Sequence, residues 1–151
     1  MITVWGMAVS GNCWKVAQIL RLTGHAFRWI ETDANAGDTR TRVMEWLFFE
    51  QYSHEPYIAV ARNIVAFRRE KHLYAERLAE CWEKGGRALA VMERRLAGHD
   101  WLTDAGPTVA DLALFAYTHV AGDGEFDLSA YPGIRAWIAR LRALPGIVPL
   151  D

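Results

Sequence analysis

The residues whose types could do chemistry gather in one short stretch, Ser10-Gly11-Asn12-Cys13-Trp14-Lys15. An apolar run, Ile2 to Gly6, leads into this polar, glycine-containing turn, and a helical pattern leaves it. The first-turn N–H groups of a helix carry positive potential and favour an anion beside them. A thiol placed there has its pKa lowered and becomes reactive. Each residue also has a plainer reading. Ser10 is a good N-cap, and Asn12 satisfies a turn. Cys13 shares a stripe with Val16, Ala17 and Leu20, where a small buried thiol is inert, and Lys15 is a solvated side chain.

Beyond that stretch the polar candidates are fewer. Thr108 and Asp111 have the spacing of a capping box, with the aspartate reaching back to the N–H of the cap. His54-Glu55 reads as a polar pair beside Pro56, with no catalytic role assigned. The five histidines, at 25, 54, 72, 99 and 119, form no HExxH and no ligand cluster. The two cysteines, Cys13 and Cys81, form no CxxC. No metal site is expected.

Few elements position these residues. Phe27 to Asp33 alternates apolar and polar as a strand does, giving a strand–helix–strand start with parallel strands. From Arg42 onward the periodicity is helical. Val43 to about Phe67 reads as one long helix kinked at Pro56. Leu73 to Leu96 reads as a second, with Leu78, Cys81, Trp82, Leu89, Met92 and Leu96 on its stripe and a neighbouring helix approaching at Gly85-Gly86. Val109, Leu112, Ala113, Ala116 and Val120 define the inward face of a third. Asp111 is there a partly buried carboxylate with a structural job. The last helix, Pro132 to Leu144, turns Ile134, Trp137, Ile138 and Leu141 inward and stops at Pro145-Gly146.

Composition narrows the functional classes. A chain of 151 residues with net charge −1 offers no electrostatic footprint for nucleic acid or an anionic membrane. Its fourteen arginines and three lysines are scattered among acidic residues as solvated helix faces. No signal peptide and no apolar run long enough to span a bilayer is read, which together with two unpaired cysteines gives the expectation of a reduced, cytoplasmic protein. Apolar residues make up 52%, with seven tryptophans, a surplus that suggests area buried at a subunit contact.

Taken in order, SGNCWKV (Ser10 to Val16), the strand ending at Asp33, MEWLFFEQYSHEPYIAVAR (Met44 to Arg62), Trp101-Leu102, PTVADLALFAYTHVA (Pro107 to Ala121) and YPGIRAWIARLRALPGIVP (Tyr131 to Pro149) resemble the glutathione transferases, in a bacterial subgroup. The resemblance covers essentially the whole chain in two blocks. It implies a mostly α protein: a truncated thioredoxin-like β-α-β start over residues 1–41, then an all-helical C-terminal domain over residues 42–151. It implies glutathione as co-substrate, a small hydrophobic electrophile as its partner, a detoxification role and a homodimer. Ser10 becomes the candidate donor to the glutathione thiolate. Cys13 becomes a rival that forms a mixed disulfide with glutathione, Asn12 orients the ligand, and Lys15 meets its glycyl carboxylate. The wall for the electrophile falls on the long helix, where Phe48, Phe49, Tyr52, His54 and Tyr57 lie, although an aromatic stripe at that spacing reads by itself as core or dimer contact.

One departure from the family's pattern bears on all of this. The block expected between the stretch Gly37 to Thr41 and the helix opening at Val43 is absent; two strands, a helix and their loops need about 40 residues. In the family that block carries the cis-proline and the glutamyl-binding acidic–serine pair. Each lost charge-assisted bond is worth about 1.5–3 kcal/mol. The resemblance therefore leaves two readings open: a glutathione transferase of weak activity, and a non-catalytic binding or scaffold member. Without a third strand, the strand ITVWG also keeps a bare apolar edge, to be covered by a second copy or by the helix 42–67.

Overall fold

The computed structural model describes residues 2–6, 11–31 and 39–148. The chain divides into two compact units, Met1–Arg40 and Thr41–Asp151.

The first unit is a right-sized βαβ fragment. Strand β1 (Ile2–Gly6) and strand β2 (Phe27–Glu31) pair in parallel, Ile2 with Phe27 through Gly6 with Glu31, and helix α1 (Gly11–Leu22) connects them. The order is the one the alternation of residues 27–31 implies, because parallel neighbours need a crossover. Gly24 ends the helix with φ +70°, its N–H bonding the Arg21 carbonyl at 3.1 Å. The expected inward stripe of α1 is corrected in part: Ala17 is buried, but Val16 is 48% exposed. A two-stranded sheet offers one helix little surface to bury against, so the stripe cannot be covered along its whole width. Among the described residues β1 has no second strand partner.

The second unit is helical: it holds all but the first two residues of α2 (Thr39–Phe49), then α3 (Glu55–Arg62), α4 (Ala75–Leu96), α5 (Val109–Thr118) and α6 (Pro132–Arg142). The expected long helix is real but not a simple kink. Two π-helical stretches, Glu50–His54 and Asn63–Arg68, interrupt it. Proline 56 has no N–H to give the carbonyl one turn back, and its ring crowds that carbonyl. The backbone absorbs this by widening the preceding turn, so that the Glu55 N–H bonds the Glu50 carbonyl.

Helix α4 carries the core. Leu78, Cys81, Leu89, Met92 and Leu96 are all buried, packed with Ile58, Ala61, Leu114, Ile134, Trp137 and Leu141. The expected close approach at the glycine pair is half right. A Cβ on Gly85 would sit 2.6 Å from Cζ of Phe126, whereas Gly86 faces nothing within 4 Å. The approaching group is an aromatic ring, not a helix backbone.

Helix α5 is turned the other way from the periodicity reading. Its buried residues are Ala110, Asp111, Leu114, Phe115 and Thr118, while Val109 and Leu112 are 56% and 47% exposed. The helix is apolar on nearly every side, so its pattern does not select a face. Asp111 does. One carboxylate oxygen accepts from the Leu102 N–H (3.1 Å) and Trp137 Nε1 (2.9 Å), the other from the Thr108 N–H (2.9 Å) and hydroxyl (3.0 Å). Those bonds complete the capping box and hold Asp111 fully inward.

Helix α6 buries Ile134, Trp137, Ile138 and Leu141, as its spacing implies. Its N-terminus has no acidic residue of its own. Glu93 of α4 supplies one, accepting from the Gly133 and Ile134 N–H groups at 2.9 Å each.

Candidate functional site

In the first unit, a strand feeding a helix aims the first-turn N–H groups of α1 past the carboxyl end of β1, the usual place for an anionic group in such units. Asn12, Cys13 and Lys15 belong to the first five residues of α1. Ser10 lies outside the described residues, as do the side chains of Asn12, Cys13 and Lys15. What the fold provides is therefore a platform: a helix of twelve residues with no acidic side chain in its first turn to compete for the positive potential.

The second unit contributes two grooves along the interrupted helix. The larger, about 450 Å³, is lined by Glu55, Pro56, Ala59, Val60 and Asn63 of α3 and its continuation, with Tyr117 of α5. Its lining is apolar at Pro56, Ala59 and Val60 and adds one carboxylate, one amide and one phenol. Glu55 is held by Gln51, whose amide donates to it at 2.7 Å and to Glu50 at 2.6 Å. Burial, more than the nearby Glu55 charge, raises the carboxyl pKa of Glu50. The smaller groove, about 280 Å³, lies between Phe49, Tyr52, Ser53 and Tyr57 on one side and Lys84, Arg87, Ala88 and Val91 of α4 on the other. Lys84 Nζ stands 5.3 Å from the centroid of the Tyr57 ring.

The aromatic residues read from the sequence are dispersed by the π turn. Phe49 and Tyr57 are half-buried against the core, whereas Phe48 and Tyr52 are 58% and 75% exposed. His54 leaves that set altogether. The expected His54-Glu55 pair is not formed: Glu55 bonds Gln51, and the fully buried His54 meets the Thr118 hydroxyl through Nε2 at 2.8 Å. Burial lowers its pKa to about 3, so the ring is neutral. Thr118 has a single proton, and its 2.6 Å contact to the Leu114 carbonyl takes it. With His54 Nε2 as the donor, Nδ1 is a bare acceptor, and no partner among the described residues reaches it. The sequence marks His54 as polar, yet nothing in it points to Thr118, 64 residues away.

Cys81 is fully buried in the core and burial pushes its thiol pKa up, which makes it inert. Among the described residues no group of three or more His, Cys, Asp or Glu side chains could hold a metal ion. No helix among them is long and apolar enough to cross a membrane.

Comparison with known proteins places this architecture. Residues 75–140 match the family model described as the glutathione S-transferase C-terminal domain. A crystal structure of a glutathione S-transferase from Xanthobacter autotrophicus Py2 is 44% identical over 100% of this chain and 97% of its own, with a TM-score of 0.76. One from Pseudomonas fluorescens Pf-5 is 36% identical over 99% of this chain and 98% of its own, TM-score 0.72. The fold is shared also with the glutathione transferase URE2P6 of Phanerochaete chrysosporium, solved in complex with oxidized glutathione, at 17% identity over 95% of this chain and 91% of its own, TM-score 0.64.

Proposed function

Since the chain belongs to the glutathione S-transferase family, we propose that it binds glutathione at the N-terminus of α1 and conjugates or reduces a small hydrophobic electrophile with it. The observation that carries this reading is the β1-α1-β2 unit itself, which presents a helix N-terminus free of acidic residues immediately after the stretch containing Ser10. In this role the Ser10 hydroxyl donates to the glutathione sulfur while the first-turn N–H groups supply positive potential, lowering the thiol pKa from about 8.5 toward neutrality. Asn12 orients the tripeptide and Lys15 meets its glycyl carboxylate. Cys13 is the rival nucleophile, by way of a mixed disulfide. The larger groove on α3 offers Pro56, Ala59 and Val60 as apolar lining for a hydrophobic electrophile. The working assembly is a homodimer that covers the unpaired edge of β1, in the cytoplasm.

A second reading has its own support. Only the seven residues 32–38 separate β2 from α2, and the sheet among the described residues has two strands. A non-catalytic binding or scaffold member fits that economy, because the family's remaining glutathione contacts have no residues here to make them.

Calorimetric titration of the full chain with glutathione separates the two. Saturable binding at or below millimolar ligand, with turnover of 1-chloro-2,4-dinitrobenzene lost in Ser10→Ala and retained in Cys13→Ser, supports the enzyme. Absence of binding at that concentration refutes it, and undiminished turnover in Ser10→Ala removes the role given to that serine.

A further inference from the structure

The larger groove has two walls, and one buried bond ties them together. His54 closes the π turn and is followed at once by Glu55 and Pro56, which line one wall; Thr118 ends α5 next to Tyr117, which lines the other. From this juxtaposition we propose that the His54–Thr118 hydrogen bond is a positioning device that sets the spacing of the groove walls for an apolar ligand. The proposal rests on the reading of that groove as the ligand wall.

Three observations carry it. First, the histidine is a costly way to fill the space. A buried acceptor with no partner among the described residues destabilises the fold, and an apolar side chain of similar size avoids that. Second, the bond is directional. The Thr118 proton is committed to the Leu114 carbonyl, so the hydroxyl oxygen can accept only from a donor placed where His54 Nε2 stands. The ring therefore registers the π turn against the last turn of α5. Third, the π turn is the element that needs registering. It accommodates Pro56 by adding a residue to one turn, and a wider turn has poorer intrinsic geometry than the α-helix on either side. Arg77 Nη2 holds the same corner from the outside, donating to the Pro56 carbonyl at 2.9 Å. Without the inner tie, Glu55 and Pro56 are free to shift against Tyr117.

The test uses the full chain and a neutral fluorescent aromatic, N-phenyl-1-naphthylamine, titrated into four variants. Val60→Trp fills the groove and reports whether the probe sits there. His54→Leu and Thr118→Val each remove the bond while keeping volume, and His54→Gln restores a donor at similar reach. Thermal melts confirm that each variant unfolds cooperatively. The expected pattern is about a tenfold loss of probe affinity in Val60→Trp, about three- to tenfold in His54→Leu and in Thr118→Val, and wild-type affinity within about twofold in His54→Gln. Loss in Val60→Trp with wild-type affinity in both His54→Leu and Thr118→Val overturns the positioning role and leaves the groove reading standing. An unaltered affinity in Val60→Trp overturns both. Should His54→Leu fail to fold, Thr118→Val against His54→Gln decides alone.

Discussion

Replacing His54 by glutamine should flatten the pH dependence of stability by an amount the structure fixes. Burial alone lowers the His54 pKa to about 3 from 6.5. The folded state therefore binds fewer protons than the unfolded one wherever the unfolded imidazole titrates. Its stability contribution is whole above about pH 6.5 and is lost as the pH falls from there toward about 3. Between pH 7.5 and pH 5 the unfolded ring gains nearly a full proton while the folded ring gains almost none, which works out at about 2 kcal/mol. That figure depends little on the folded pKa so long as it stays below about 4, because the unfolded state does the titrating. Glutamine keeps a donor for Thr118 and has no titration. Urea denaturation of both proteins at the two pH values gives the difference directly, and carboxylates common to both cancel. Wild type should lose about 2 kcal/mol more than His54→Gln on going to the lower pH. Equal losses would show that the folded protein takes up the proton too, by opening this site to water, and the argument that His54 is a dry, neutral donor would fail.

Two further substitutions test the core. Asp111→Ala strips four donors of their acceptor, two of them the Leu102 N–H and Trp137 Nε1 in the buried interior; it should cost at least about 4 kcal/mol in a chemical denaturation series. A loss near 1 kcal/mol would mean that only the cap matters. At the glycine pair the two alanine variants should move in opposite directions. Gly86→Ala, with open space around it, raises stability by about 1 kcal/mol, whereas Gly85→Ala drives a methyl into the Phe126 ring and lowers it by about 1–3 kcal/mol. Melting temperatures that shift the same way would contradict the packing described.

The candidate glutathione site was legible as residue types at the start of a helix: β1, α1 and β2 follow from local pattern, since the apolar run of β1, the alternation of β2 and the helix between them involve near neighbours. The groove was not legible. Its walls join residues 55–63 to residue 117, and its shape depends on a π turn that no period of 3.6 announces. The aromatic run Phe48 to Tyr57 looked like one wall, but the extra residue in the turn sends Tyr52 to solvent and His54 into the core.

By itself, then, the sequence determined β1, α1, β2, α4 and α6, the capping box at Thr108 and Asp111, and the inner face of α6. Each of these rests on contacts within a few residues or on a strongly amphipathic stripe. Tertiary structure alone decided which side of α5 faces inward, where Phe126 lands and what caps α6. Helix α5 is apolar nearly all round, so its rotation was settled by the bonds from Leu102 and Trp137 to Asp111. The first turn of α6 has no acid of its own, and its N–H groups are met by Glu93, 40 residues back from Gly133. Such choices follow from unmet polar groups seeking partners across the core, and that search has no trace in local periodicity.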